Sequence, residues 1–321
     1  STGVANTYTI AYTLNGGTAG TNSPTSGTYD SLITIDNPSR SGYTFKGWTA
    51  SNLTTGTAKH GTTTSPATAW DGTTKVTSKY FKNLRSTSGT VTLAASWEYT
   101  ATFYYWDKTN SKIASTTAKC TGGASCTVTI PTAVTGSTGE YGNAYGGLAT
   151  SLNSMTAAES KTATTVTISA NTTYYGIYST AVSVYRPSST SEAKKTTWLR
   201  NSYFTSTSGM NTVLAWEADE IENGPVTQVT GYSFYGFATE ANTRTSTYTS
   251  VSAAATSTAT TLYAISRMTL TGTFYYQSSA TAGTCSVTSA PASAYRYLYC
   301  TSTSAAKTAT RFSDTHSKVS N

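Results

Sequence analysis

The sequence predicts a mainly β protein with little helix, built as a run of tandem small modules. Three observations lead there: a composition rich in Thr and Tyr and poor in charge, strand-like segments that recur in a fixed order, and a glycine–aromatic signature lying between them. The 321 residues suit about two to four units rather than one small domain. Only 11% of residues are charged, against about 25% in ordinary soluble chains, and Thr supplies about a fifth of the sequence. Without aromatic residues such a composition would describe a disordered or mucin-like stalk. Aromatic residues make up 12% of the chain and sit inside alternating Thr/Val/Ile runs, so the reading is strands around a thin core.

The first recurring element is an opening strand. It reads Tyr8-Thr9-Ile10-Ala11-Tyr12, then Thr100 to Tyr105, then Val182-Ser183-Val184-Tyr185, then Thr271 to Tyr276. Asn15-Gly16-Gly17 after the first copy is a turn signal of the hairpin kind. The second element is the signature Gly42-Tyr43-Thr44-Phe45-Lys46-Gly47-Trp48, which returns as Gly231 to Phe237 and, more weakly, as Tyr145-Gly146-Gly147-Leu148. Strict alternation would put Tyr43, Phe45 and Gly47 on one face and Thr44, Lys46 and Trp48 on the other. A glycine within such a strand marks a bulge or a close approach, here expected from an aromatic of the closing strand. Pro38, Pro131 and Pro225 precede the signatures and stop the preceding strand from pairing further. The third element is a closing strand: Val91 to Trp97, Thr173 to Tyr178, and Thr261 to Ile265. Gly47, Gly147 and Gly236 set a period of about 90 to 100 residues, the scale of whole small domains. The expected units are 1–98, 99–180, 181–268 and a partial fourth, 269–321, which has an opening strand and no evident closing one.

These residues resemble the Listeria–Bacteroides repeat, the internalin B-repeat type of module. The first unit carries the resemblance from Tyr8 to Gly17, through Asn37-Pro38-Ser39-Arg40-Ser41-Gly42 into the signature, and again from Leu93 to Trp97. The third unit repeats the signature and Leu262-Tyr263-Ala264; the second and fourth keep fragments. The resemblance implies a β-grasp-like fold with at most one short helix and a place on a bacterial surface. It implies no catalytic residues. Residues 52–90 and the cysteines depart from the pattern.

Cysteine spacing points to structural disulfides, with Cys120 and Cys126 bracketing a glycine-rich turn and Cys285 and Cys300 bracketing a short segment. Neither pair has the spacing of a redox site, and His60 and His316 leave little for zinc. No cofactor is expected. Glu217, Asp219, Glu220 and Glu222 form the densest acidic run and a weak calcium candidate whose spacing does not follow an EF-hand. Tyr104-Tyr105, Tyr174-Tyr175 and Tyr275-Tyr276 should each place one ring in the core and one outside. Lys46 is weighed as an isopeptide lysine, and Asn52 and Asn171 as glycosylation sequons by pattern alone. The net charge of +7 is spread along the chain with no basic run, which argues against nucleic acid. No nucleophile elbow or phosphate loop appears, so the chain reads as no enzyme. No apolar run is long enough to span a bilayer. The start at Ser1 reads as a processed or excised product, with any export signal or wall anchor lying elsewhere.

The expectation is therefore a secreted structural or adhesive protein of a bacterial cell surface. Its partners would be other surface proteins, host or microbial glycans, or copies of itself paired strand to strand into a filament. The alternative is an array of carbohydrate-binding modules using exposed Tyr.

Overall fold

The computed structural model describes residues 3–215, 229–270, 275–277, 285–287 and 294–312, with backbone only at 275–277, 285–287 and 311–312. The described residues are mainly β, with two short helices. The chain forms two compact units: 1–105, 114–135 and 162–174 in the first, and 106–113, 136–161 and 175–321 in the second.

The first unit opens with β1 (Thr7–Thr13), flanked on one edge by antiparallel β2 (Ser26–Thr28). On its other edge β1 pairs in parallel with β8 (Thr90–Asp107), Thr9 facing Thr90 and Thr13 facing Ala94. The signature strand β4 (Thr44–Ser51) runs antiparallel to β8, and β9 (Lys112–Gly122) also pairs with β8. The order β2-β1-β8 with β4 beyond arises because β1 and β8, richest in buried apolar residues, take the centre. Tyr8, Ile10, Trp48, Val91, Leu93 and Trp97 are all buried.

Residues 52–90, which depart from the repeat pattern, supply three of the four strands of a second small sheet. Its strands are β3 (Ile33–Thr34), β5 (Lys59–Gly61), β6 (Thr68–Ala69) and β7 (Tyr80–Lys82), in the order β3-β7-β5-β6. Ile33, Ile35, Trp70, Phe81 and Leu84 give it its own core. A further ribbon, β10 (Cys126–Thr129) with β13 (Thr165–Ile168), completes this unit, and α1 (Thr132–Thr135) starts directly after Pro131.

In the second unit β14 (Thr172–Pro187) carries β15 (Ala193–Ser206) along one edge, and β15 hairpins into β16 (Gly209–Ala215). The signature strand β11 (Ala144–Ala149), with the short β12 (Glu159–Ser160) outside it, pairs with β14 near Tyr175–Ser179. Parallel β18 (Thr261–Leu270) then takes β14 at Ser183–Tyr185. Antiparallel to β18 run the third signature strand, β17 (Ser233–Ala238), and β21 (Ala294–Cys300), which hairpins into β22 (Ala306–Phe312). The helix α2 (Val251–Ala255) starts at an N-cap, Ser250, whose hydroxyl accepts from Ala253 N–H. Val182, Val184, Trp198, Phe237, Leu262 and the α2 residues Ala254 and Ala255 belong to one core cluster. A separate ribbon pairs β19 (Tyr275–Gln277) with β20 (Cys285–Val287).

The first three opening strands and the three closing strands fall where alternation placed them, while residues 271–274 of the fourth opening strand lie outside the described residues; closing and opening strands are not always separate elements. Val91–Trp97 and Thr100–Tyr105 lie in the single 18-residue β8, and Thr173–Tyr178 and Val182–Tyr185 lie in the 16-residue β14. The limits 98/99, 180/181 and 268/269 each fall inside a strand.

Candidate functional site

Each signature strand carries the same irregularity. Pairing shifts register between Phe45 and Gly47, between Tyr145 and Gly147, and between Phe234 and Gly236, so Lys46, Gly146 and Tyr235 are the extra residues of three β-bulges. The bulge moves every later side chain to the opposite face. Strict alternation separates Phe45 from Trp48, yet their rings meet edge-to-face at 5.3 Å, and Phe234 and Phe237 meet at 4.8 Å. That corrects the expected faces. Trp48, Leu148 and Phe237 are buried, and Tyr12 and Trp97 close the first cluster around Trp48 and Phe45.

The glycine makes room for backbone, not for an aromatic of the closing strand. A Cβ on Gly47 would stand 2.8 Å from Val76 N, and the residue has φ +126°. One on Gly147 would collide with Glu159 O, and one on Gly236 would lie 2.6 Å from Tyr248 O. In each case the connecting segment crosses the bulge and bonds to the residue beyond it. Trp48 N–H donates to Val76 O (2.7 Å) and Val76 N–H returns to Trp48 O (3.0 Å). Phe237 N–H donates to Tyr248 O (2.7 Å), and Tyr248 N–H returns to Phe237 O (3.0 Å). Ala158 N–H donates to Leu148 O (2.8 Å). The signature is thus a docking point for its own connection.

A second cluster explains Asn15-Gly16-Gly17 and Arg40. Asn15 (φ +48°) and Gly16 (φ +86°) turn the chain so that Gly17 lies against the Trp97 ring, whose indole N–H donates to Leu14 O at 2.9 Å. The turn forms as read, but β2 starts only at Ser26, so the connection is longer than a two-residue hairpin. Asn15 Nδ2 donates to Ala95 O at 2.8 Å. The Arg40 guanidinium lies 3.7 Å over the Tyr43 ring and donates to Tyr99 Oη at 3.1 Å, while Tyr99 Oη donates to Gly123 O. Gly123 belongs to the turn closed by the Cys120–Cys126 disulfide, Cα atoms 5.9 Å apart. Arg40, Tyr43, Tyr99 and the disulfide turn therefore hold one another.

Of the second expected pair, Cys285 and Cys300, only Cys300 has a described side chain. Cys300 is a buried free thiol on β21, held between β18 and β22, with burial pushing its pKa up to about 12. Cys285 lies on β20, in a different sheet, and its side chain is outside the described residues. The calcium candidates Glu217, Asp219, Glu220 and Glu222 lie outside the described residues, as does His316. Among the described residues no three His, Cys, Asp or Glu side chains come together, and no helix is long and apolar enough to cross a membrane.

Lys46 is partly exposed and pairs with Glu98 at 3.4 Å. Lys119 lies 3.3 Å from the other Glu98 oxygen and, with Lys46, holds that carboxyl below its usual range. An isopeptide lysine would be buried. Asn52 and Asn171 both commit their side-chain amides, Asn52 to Thr90 O at 2.7 Å and Asn171 to Gly42 O at 3.1 Å. His60, absent from the sequence reading beyond its count, bonds through Nδ1 to Ser78 Oγ at 2.8 Å beside Trp70. Desolvation lowers its pKa. Ser78 is buried, so the pair reads as a satisfied interior contact.

The Tyr174–Tyr175 doublet splits into a buried ring and a half-buried one, and the Tyr104–Tyr105 doublet does not split. Tyr174 stacks on Phe103 and Tyr175 packs on Phe204, while Tyr104 and Tyr105 are both half-buried. Of Tyr275 and Tyr276 only the backbone is described. Elsewhere rings face each other: Tyr185 stacks on Tyr263 at 5.2 Å, and Arg267 sits between Tyr235 and Tyr295 at 4.4 and 4.2 Å.

Neither curated proteins nor solved structures yield a match to this chain. One family model does match, over residues 8–79, a span that takes in β1, Arg40 and Tyr43, the first bulge and three of the four strands of the small sheet. Residues 8–79, which hold the opening strand, the asparagine–glycine turn and the first bulged signature, match as a Listeria-Bacteroides repeat domain, a repeat typical of bacterial surface or extracellular proteins.

Proposed function

We propose that this chain is a non-enzymatic structural and adhesive repeat protein displayed outside a bacterial cell. The observation that carries the reading is the threefold recurrence of one bulged signature strand, each with its own connection docked on the glycine. The repeated investment is in backbone pairing. The parallel centre formed by β1 and β8, with β2 and β4 outside, supports a β-grasp-like module in the first unit. Intact cells of the source organism, labelled with an antibody against the chain and shaved with protease, test the location. Labelling before lysis and loss of the band on shaving are expected; signal only after lysis would end the reading.

Self-association by strand pairing belongs to the same proposal. Among the described residues β2 pairs only with β1 and presents a free edge, and β22 pairs with no strand but β21, its outer edge being met only at its start, where Ala306 N–H donates to Ser191 O. Sedimentation across a wide concentration range tests it: growing oligomers are expected, and a monomer throughout retires the filament. Glycan recognition by Tyr is less favoured, because the best-formed ring pairs turn their faces on one another or on Arg267.

A further inference from the structure

Load travelling along this chain meets the same geometry twice. In the first unit the chain arrives through β1, which is the parallel neighbour of β8 over five registered pairs, Thr9–Thr90 to Thr13–Ala94. Thr9 N–H adds a bond to Gly89 O at 2.8 Å. In the second unit β14 is the parallel neighbour of β18 over three pairs, Ser183–Thr261 to Tyr185–Tyr263, with Ser183 N–H bonded to Thr260 O at 2.9 Å. The earlier strand is pulled toward its N-terminal end and the later strand toward its C-terminal end. Because the strands are parallel, those pulls slide one along the other, and every bond of the ladder is strained together. An antiparallel hairpin pulled at its free ends, such as β21–β22, opens one bond at a time instead.

Continuity between repeats completes the path. The closing motif of one repeat and the opening motif of the next form one unbroken strand in β8 and again in β14. No flexible linker lies between those motifs to take up extension.

From this topology we infer that the chain is a tension-bearing element whose parallel strand pairs, β1 with β8 and β14 with β18, act as shear clamps. The inference deepens the surface reading, and its test on purified protein is independent of where the cell displays it. Single-molecule pulling on the full chain, disulfide intact, is expected to give two high-force events. Each releases at least about 270 Å of contour at ~3.5 Å per residue. In a second geometry, handles at Val4→Cys and Ser88→Cys grip β1 and β8 at neighbouring N-terminal ends. The same wild-type fold should then open the first unit at clearly lower force, by peeling. Equal force in the two geometries overturns the inference. Thr9→Pro removes the bond to Gly89 and should lower only the first unit's event. Phe81→Ala, in the small sheet, should lower thermal stability while leaving that force in place. If Phe81→Ala lowers the force as much as Thr9→Pro does, force follows overall stability and the clamp is refuted.

Discussion

Replacing Gly47 by Ala isolates what the bulge contributes. Two costs add. The first is conformational: φ +126° lies where L side chains rarely sit, and holding one there costs about 1–3 kcal/mol. The second is steric: the new Cβ would stand 2.8 Å from Val76 N and 3.0 Å from Lys75 C, so the crossing segment must retreat. Retreat lengthens the paired bonds between Trp48 and Val76, each worth about 0.5–1.5 kcal/mol. The sum is about 2–6 kcal/mol at most, if both bonds are lost. Gly42→Ala is the internal control, because Gly42 also has positive φ (+82°) but nothing lies within 4 Å of its Cβ position. It should show the conformational cost alone. Urea denaturation followed by tryptophan fluorescence measures both, since Trp48 and Trp97 report on this core. If the two variants lose equal stability, the connection does not depend on the glycine for its seat, and the docking argument fails.

Arg40→Lys should cost about 1–2 kcal/mol, because a lysine ammonium loses the planar stack on Tyr43 while keeping the charge; a chemical midpoint unchanged from wild type would contradict the cluster. Cys126→Ser opens the six-residue Cys120–Cys126 span and should cost about 2–3 kcal/mol of stability, read as a lower thermal midpoint. Reduction of the wild type should reproduce that loss. His60 has its pKa lowered by burial, so the folded state binds fewer protons there than the unfolded chain does. Its contribution is intact above the ordinary histidine value of 6.5 and falls away as pH drops through 6.5 toward the lower folded value. The pH slope of stability in that window should flatten in His60→Gln; an unchanged slope would remove His60 from the account.

The strands were legible because alternation is a local property. Tyr8-x-Ile10-x-Tyr12 and Val91-x-Leu93-x-Ala95 write their periods in adjacent residues, and β1 and β8 follow. The glycine in the signature also announced its bulge. What lay hidden was the partner: Val76, Glu159 and Tyr248 reach the three bulges from connections whose sequences share no motif. A segment that docks by its backbone leaves little trace in side-chain identity. The same reasoning covers Arg40, whose partners Tyr99 and Gly123 lie 59 and 83 residues away and were not grouped with it. His60 and Ser78 found each other only when β5 and β7 folded together.

The bulge and the unbroken strands are two parts of one solution. β14 has only two edges, and β15 occupies one of them from Tyr178 to Pro187. Its signature partner β11 and its parallel partner β18 must therefore follow one another on the remaining edge, the first over Tyr175–Ser179 and the second over Ser183–Tyr185. A regular strand would tend to run on and cover both stretches. The bulge between Tyr145 and Gly147 bends β11 near its first pairs with Tyr178 and Ser179, and its ladder stops short of Ser183. β17 has the same bulge at the same distance from its first pair, Ser233 with Arg267. A glycine that first looks like a packing concession thus also limits how far each signature strand pairs, and that limit is what lets one strand serve two repeats.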